Sequence, residues 1–545
     1  MRGPPMKRNA AYMVLAVIII FHLVSNIRII SQHKTPPTSD SSDYIRASLE
    51  MHDLLRGGDI KGAIRVHDRY GPLFSYLAQP FYYLFGRSIS SARLVSTSSF
   101  ILLITSVFFL GKELFSEKTG LLAAFLISFY PQVYGMSRVY IQDLALTSLI
   151  CLDLYLLIKT KEFTARKISI LLGIALGISA LIKPAFVVWV FGPVLVTLFY
   201  GFHLSLNDKN TKKQIKNFLL TLFISLALYS LWFIPNYGSV LQDTKRTVPL
   251  TSVASPYAWS LYNLLWYPKL ILNYQILYLF GVLSVLAFIC FLIKNQFTFK
   301  TKLFLSSFLI LPYWFFTLID NNDVRYILPL TIGISLVSSA FLASINLKRP
   351  RRVAIILSIA IALFQFSVLS YGNRWFHDNG DRFPLAREYF HVFFGVNPAI
   401  DPIAEWHMGI FQPSTNSLAQ EDVVRILIED INDEDRGYSV LASSWELFSP
   451  LGNLLLLKHI HNIEVILPQP LPEDYHPDYF LLVKNQYGEG DWIMAREIVT
   501  LFENDRDAYA LLSSIQVCPW AKACSPEGGC TDHYNTTIEI YKRVK

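Results

Sequence analysis

The sequence predicts a polytopic α-helical membrane protein that ends in an extracytoplasmic α/β domain. Three observations predict it. The chain of 545 residues is 52% apolar and 16% charged, against about 25% charged in a soluble globular protein. Apolar runs of about 15 residues or more recur from Ala10 to Leu369 and then stop. The polar outliers Asp143, Lys183 and Arg325 fall, on the topology these runs imply, on one face of the membrane. Asp43 and Arg46, just past the first run, fall on that same face.

The runs give about eleven spans. They are Ala10–Ile27, Leu94–Leu110, Leu121–Tyr134, Leu144–Ile158, Ile168–Ile182, Phe186–Tyr200, Phe218–Ile234, Ile276–Ile293, Leu303–Leu318, Tyr326–Leu342 and Val353–Leu369. The first follows Arg2, Lys7 and Arg8 and lacks a small-x-small cleavage site, so it reads as an uncleaved anchor rather than a signal peptide. Lys and Arg crowd alternate loops: Lys112 and Lys118; Lys159, Lys161, Arg166 and Lys167; Lys209 to Lys216; Lys294 to Lys302; Lys348 to Arg352. The positive-inside rule puts these loops and the N-terminus in the cytoplasm. The protein is thus expected in the inner or plasma membrane, with the first loop and the C-terminal region outside. Loop orientation accounts for the net charge of +7, so nucleic acid is not an expected partner.

Residues 1–371 form the expected transmembrane domain, including an outer loop over 31–93. In that loop Tyr44 to Leu55 has helical apolar spacing and stops at Gly57-Gly58. Leu73 to Phe85 is rich in aromatics and interrupted by Pro80. Both read as interfacial helices, forming either a plug for the bundle or a lid and lipid-docking platform.

Residues 372–545 form the expected α/β domain. Strand patterns at Tyr438–Ala442, Ile463–Leu467, Tyr479–Val483 and Ile538–Tyr541 alternate with helical patterns at Val423–Ile431 and Trp492–Phe502. Of the five cysteines, Cys151 and Cys290 lie in spans as apolar fillers. Cys518, Cys524 and Cys530 suit one bridge plus a spare better than zinc. Asp433-Glu434-Asp435 reads as a solvated turn, and Asn535-Thr-Thr is a formal glycosylation sequon. A Gly-rich nucleotide loop is absent from the sequence.

Ionisable groups in a membrane cost roughly 2.5–3.5 kcal/mol at mid-depth and usually face the protein interior. Asp143 opens the fourth span on the outer side; its alternatives are a functional acid or a salt bridge to Arg138. Asp153 lies deeper and reads as structural. Lys183, Arg325 and Arg46 suit phosphate, Arg as a fork and Lys as a point charge. For Lys183 and Arg325 the other reading is snorkelling to headgroups. His67 and Asp68 do not make a convincing metal pair with Asp43, for want of further carboxylates.

An ordered set of short motifs then resembles a known family. It runs Asp43-Tyr-x-Arg46, Gly58-Asp59, Tyr70-Gly-Pro-Leu73, Ala92-Arg93-Leu94 and Gly111-Lys-Glu-Leu-Phe115. It continues through Ser137-Arg138 with Asp143, Gly173-x-x-x-Gly177 to Lys183, and Arg325-Tyr-Ile-Leu-Pro329. The set resembles the polyprenyl-phosphate-sugar glycosyltransferases of the GT-C class, the protein O-mannosyltransferases and lipid A aminoarabinose transferases among them. The family has Asp-Glu where this chain has Asp43-Tyr44, and Pro-Pro-Leu where it has Gly71-Pro72-Leu73. The lipid A transferases carry a Lys where Tyr70 stands.

The resemblance implies an integral-membrane, mannosyltransferase-like enzyme. It would move a hexose or pentose from a polyprenyl-phosphate donor to an acceptor hydroxyl on a protein, lipid or glycan, with inversion. It implies Asp43 as the base, Asp143 as its acidic neighbour, and Arg46, Lys183 and Arg325 as the phosphate grip. Arg69 stands in for the missing Lys, and His67, Asp68 and Tyr70 line the sugar or acceptor. The other reading of Asp43 is a helix N-cap for Tyr44–Leu55. No cofactor is implied beyond the lipid-linked donor, and a divalent cation is left open. The competing classes are a multi-pass transporter, which would place ionisable groups at mid-membrane and show internal repeats, and a non-catalytic envelope scaffold.

Overall fold

A computed structural model describes residues 8–34, 37, 39–66, 71–205, 210–241, 259–319, 323–372, 420–431, 437–442, 451–458, 463–466, 475–485, 493–517 and 536–544. Cys518, Cys524, Cys530, Asn535 and the run Asp433 to Asp435 lie outside the described residues, as do His67, Asp68, Arg69 and Tyr70. The chain is a helical bundle followed by an α/β domain.

Helix α1 (Arg8–Gln32) leads into α2 (Ser39–Arg56), the short α3 (Ile60–Arg65) and α4 (Leu73–Phe85). Helix α2 lies along α4: Ser48 Oγ meets the Tyr82 hydroxyl at 2.7 Å, and Gln79 donates to the Ser48 carbonyl at 3.1 Å. Helix α4 buries Phe74, Ala78 and Tyr82 and exposes Leu77, Tyr83, Leu84 and Phe85. An interfacial helix shows this division, with one apolar face in the protein and another left for lipid.

Next come α5 (Ile89–Leu114), α6 (Glu117–Ser128), α7 (Pro131–Met136), α8 (Gln142–Lys159), α9 (Arg166–Ile182), α10 (Phe186–Ser205) and α11 (Asn210–Phe233). The run read as one span over Leu121–Tyr134 is two helices. The first ends at Ser128 and the second starts at Pro131, whose ring suits a first helical position. Then follow α12 (Leu261–Leu270), a π-helical turn at Ile271–Gln275, α13 (Leu277–Ile293) and α14 (Phe299–Thr317). A 3-10 turn at Val324–Ile327 precedes α15 (Leu330–Ser344) and α16 (Lys348–Ser367). Among the described residues four helices are long and apolar enough to cross a membrane: Ala10–Gln32, Ile89–Leu114, Thr211–Phe233 and Lys348–Tyr371. Shorter apolar helices lie at Phe186–Gly201, Leu277–Ile293 and Leu330–Ser344.

Helices in lipid gain little from apolar contact alone, so small residues that admit close backbone approach hold them together. Gly173 and Gly177 of α9 do this against α11. A Cβ on Gly173 would stand 2.8 Å from the Thr221 carbonyl oxygen, and one on Gly177 2.8 Å from Leu228 Cβ.

The α/β domain contains α17 (Gln420–Asp430), α18 (Leu451–Leu457) and α19 (Ile493–Asn504). Its strands are β1 (Tyr438–Ala442), β2 (Ile463–Ile466), β3 (Tyr479–Asn485), β4 (Tyr509–Val517) and β5 (Thr536–Arg543), in the order β2-β1-β3-β5-β4. The first three are parallel and β5 and β4 antiparallel. Strand β4 has no counterpart in the sequence reading; its Ser513-Ser514 centre breaks the apolar pattern.

Replacing Gly177 by Val is expected to cost about 1–3 kcal/mol through overpacking. The measurement is the unfolding temperature of the detergent-solubilised protein, and an unchanged temperature contradicts the close approach of α9 and α11.

Candidate active site

Four elements far apart in sequence converge at one end of the bundle. Asp143 sits in the first turn of α8, where the exposed backbone N–H groups and the helix dipole favour an anion. Lys183 follows the last residue of α9. Pro184 disfavours helical geometry in the residue before it, and Lys183 is extended, with φ −158° and ψ 119°. Arg325 stands in the 3-10 turn, and Asp40 in the first turn of α2.

Arg325 is the centre. Its side chain is only 2% exposed. Nε donates to Asp323 Oδ2 at 3.0 Å and Nη2 to the same oxygen at 2.7 Å. Nη2 also donates to Asp40 Oδ2 at 3.0 Å, and Nη1 lies 4.0 Å from Asp143 Oδ2. On the other side of Asp143, Lys183 Nζ donates to Oδ1 at 2.9 Å. The ammonium also lies 4.8 Å from the centre of the Tyr326 ring, a cation–π distance. Burial opposes the charge on Arg325. Asp323, Asp143 and Asp40 outweigh it and raise the guanidinium pKa well above its usual value.

The scaffold explains the convergence. The carbonyl of Val324, beside Arg325, accepts from the buried Gln275 of the π-helical turn at 3.0 Å. Asp323 Oδ1 accepts from the Arg325 backbone N–H at 2.9 Å, a local Asx bond that sets the turn. The Tyr140 hydroxyl donates to the Phe74 carbonyl at 3.0 Å, tying the approach to α8 to helix α4. Gly71 packs on the end of α9, where a Cβ would lie 1.8 Å from the Leu181 carbonyl oxygen. Only glycine allows that approach, two residues from Lys183. Below the site, Arg138 Nε donates to Asn26 Oδ1 at 2.8 Å, and Asn26 Nδ2 to Ser137 Oγ at 2.7 Å.

The structure thus brings together Asp143, Lys183 and Arg325. Asp143 turns to these two cations, while Arg138 bonds the first helix. Snorkelling does not describe Arg325, which is buried among acids. Asp43 is not the N-cap of its helix. Helix α2 begins at Ser39, so Asp43 lies one turn inside, half-buried, and three residues on from Asp40 on the same helical face. Arg46 lies 3.9 Å from Glu50 and is 55% exposed; among the described residues no ion pair brings it to the cluster. The deeper Asp153 accepts a hydrogen bond from Ser179 Oγ at 2.7 Å. Asp40 and Asp323 are members that the sequence reading missed. Asp323-x-Arg325 carries the signal of an Asx turn. Asp40 gives none, because only folding sets it against Arg325. Among the described residues no group of three His, Cys, Asp or Glu side chains is arranged to hold a metal ion.

Comparison with known proteins agrees with this architecture. Residues 69–234 match the family model described as dolichyl-phosphate-mannose-protein mannosyltransferase. The crystal structure of ArnT from Cupriavidus metallidurans bound to undecaprenyl phosphate is similar, with a TM-score of 0.56 and 12% identity, over 98% of this chain and 98% of that chain. Its apo form gives 0.59 and 12%, over 97% and 98%. The arabinofuranosyltransferase AftD from Mycobacteria gives 0.55 and 12%, over 99% of this chain and 40% of that chain. No curated protein matches the sequence. Identities this low carry the fold alone: the chain has the GT-C fold, a helical bundle with a C-terminal α/β domain.

Truncating Arg325 to Ala would leave three carboxylates facing one another without their shared cation. The expected loss is about 3–5 kcal/mol of stability, read as a lower unfolding temperature in detergent. Arg325→Lys should recover only part of it, since an ammonium cannot form the two-pronged contact to Asp323.

Proposed function

We propose that this GT-C chain is an integral-membrane glycosyltransferase that moves a sugar from a polyprenyl-phosphate donor to an acceptor hydroxyl at the outer membrane face. One observation carries the reading. Two cations from distant elements, Lys183 and Arg325, share the carboxylate of Asp143 at the end of the bundle that also receives the acid-bearing turn of α2. The matched mannosyltransferase family and the ArnT structure with undecaprenyl phosphate supply the donor class.

The reaction needs little covalent machinery. The acceptor hydroxyl gives its proton to the Asp43 carboxylate as its oxygen bonds to the anomeric carbon. The bond from that carbon to the phosphate oxygen breaks, its electron pair leaves with the phosphate, and the centre inverts. Lys183 and Arg325 hold the phosphate as its charge grows. Asp143 is the second catalytic acid and orients both cations. Arg69, His67, Asp68 and Tyr70 complete the grip on phosphate, sugar and acceptor in this reading, and Arg46, beside Glu50, is left outside it.

Charge balance adds a requirement. Among the described residues two cations meet three carboxylates, Asp40, Asp143 and Asp323, so a phosphate arriving there must replace one of them. Asp40 is 42% exposed, whereas Asp143 and Asp323 are buried. Asp40 is therefore the acid that the phosphate displaces from Arg325.

The wider topology belongs to the same reading. About eleven crossings, one for each apolar run of the sequence, would place the N-terminus in the cytoplasm and residues 372–545 outside. The separate apolar clusters of the bundle and of the sheet support a division near residue 371.

The test uses full-length protein in liposomes and a panel of polyprenyl-phosphate donors carrying mannose, glucose, arabinofuranose or aminoarabinose. Wild type should consume at least one donor. Asp43→Asn should lower kcat by about 100-fold or more, the usual share of a general base, with donor KM little changed; full turnover of this variant would remove the base assignment. Asp40→Asn should bind the sugar-free polyprenyl phosphate several-fold more tightly than wild type in a titration, since it removes a competing anion. Weaker binding would contradict the displacement.

A further inference from the structure

The outer domain sends one side chain to the helix that carries the acids. Asn453, in α18, is fully buried. Its Nδ2 donates to the Ser42 carbonyl at 3.1 Å and to Ser42 Oγ at 2.7 Å. Ser42 is also buried and lies between Asp40 and Asp43 in the first turn of α2.

The rest of α18 is built to deliver this contact. Its sequence, Leu-Gly-Asn-Leu-Leu-Leu-Leu, is apolar around the one amide. Leu454 and Leu455 pack into the core of the α/β domain. Leu456 and Leu457 pack against the core of the transmembrane bundle. Residues three and four apart share a helical face, so Leu456 and Leu457 lie on the same side as Asn453. One short helix is thus anchored in both bodies. Its amide nitrogen is spent on the turn that sets Asp40 against Arg325, while its Oδ1 is buried with no hydrogen-bond partner among the described residues. Burying an amide is costly unless it is hydrogen-bonded, and an apolar residue at 453 would fill this apolar helix without that cost. The position is explained by what the amide holds.

We infer that Asn453 is a positioning residue for sugar transfer, resting on the glycosyltransferase reading above. It fixes the first turn of α2 so that Asp43 faces the reacting oxygen and Asp40 faces Arg325. The outer domain is then a working part of the active site. The acceptor's position relative to Asp43 depends on how that domain is seated.

The experiment uses the full-length protein in liposomes and the panel donor that wild type consumes. Asn453→Ala should lower kcat about tenfold or more, because small misplacements of reacting groups are costly, while donor KM does not rise, because Lys183 and Arg325 are untouched and a loosened Asp40 competes less for Arg325. A tether guards against a simple folding defect. Asn453→Cys alone should show the same loss. Asn453→Cys combined with Ser42→Cys, oxidised to a disulfide, should recover turnover, and a reductant that leaves wild type unaffected should abolish the recovery. Wild-type kcat in Asn453→Ala overturns the inference, and so does a loss that the tether does not rescue. Asp43→Asn, run alongside, separates the two readings. If it is inactive while Asn453→Ala is normal, positioning alone fails. If it is fully active, the base assignment fails and the clamp has no acid to position.

Discussion

The site depends on one buried guanidinium. Arg325 is out of water, and a charge placed there is stable only among opposite charges and hydrogen-bond acceptors. Asp323 supplies them from its own turn, Asp143 from the start of α8, and Asp40 from the outer loop. Removing any of these elements would leave charge uncompensated, so the cation imposes a shared position on segments that are otherwise independent. Lys183 extends the same network through Asp143 to the end of α9. Lys183 and Arg325 thus hold fixed positions at this end of the bundle because their charges must be neutralised.

The surrounding structure serves this constraint by fixing the ends of helices. Pro184 stops α9 at the residue before Lys183. Gly71 lets the outer loop press on the Leu181 carbonyl. Gln275 holds the turn beside Arg325 through the carbonyl of Val324. Underneath, Arg138, Asn26 and Ser137 tie α1 to the segment leading into α8. These bonds are individually worth on the order of 1 kcal/mol. They matter because each removes freedom from an element that carries a charged group. The outer loop is therefore part of the bundle, folded onto it through α2 and α4, and through Asn453 it is also in contact with the α/β domain.

A net excess of carboxylate around two cations also shapes how such a site can work. In the proposed reaction, a grip neutralised by protein acids resists stray anions and yields to a ligand that can replace the most exposed of them. The gradient of exposure from Asp40 to Asp323 provides that ordering.

The sequence by itself determined the class of molecule. Apolar run length and the bias of Lys and Arg among loops report on the solvent each segment meets, which is a local property. The helix at Leu73–Phe85 and the strands at Tyr438, Ile463 and Tyr479 were legible for the same reason. Asp143, Lys183 and Arg325 were legible as a set because charges are sparse in the short loops opposite the basic ones, where these three fall. Their mutual contacts, the place of Asp40 and the reach of Asn453 to Ser42 were decided only by tertiary structure. So was the break before Pro131, where an apolar run continues through a change of direction. Apolar pattern cannot encode which of two acids three residues apart meets a given cation. That is set by helix rotation and by packing between segments hundreds of residues apart, and these exist only once the chain has folded.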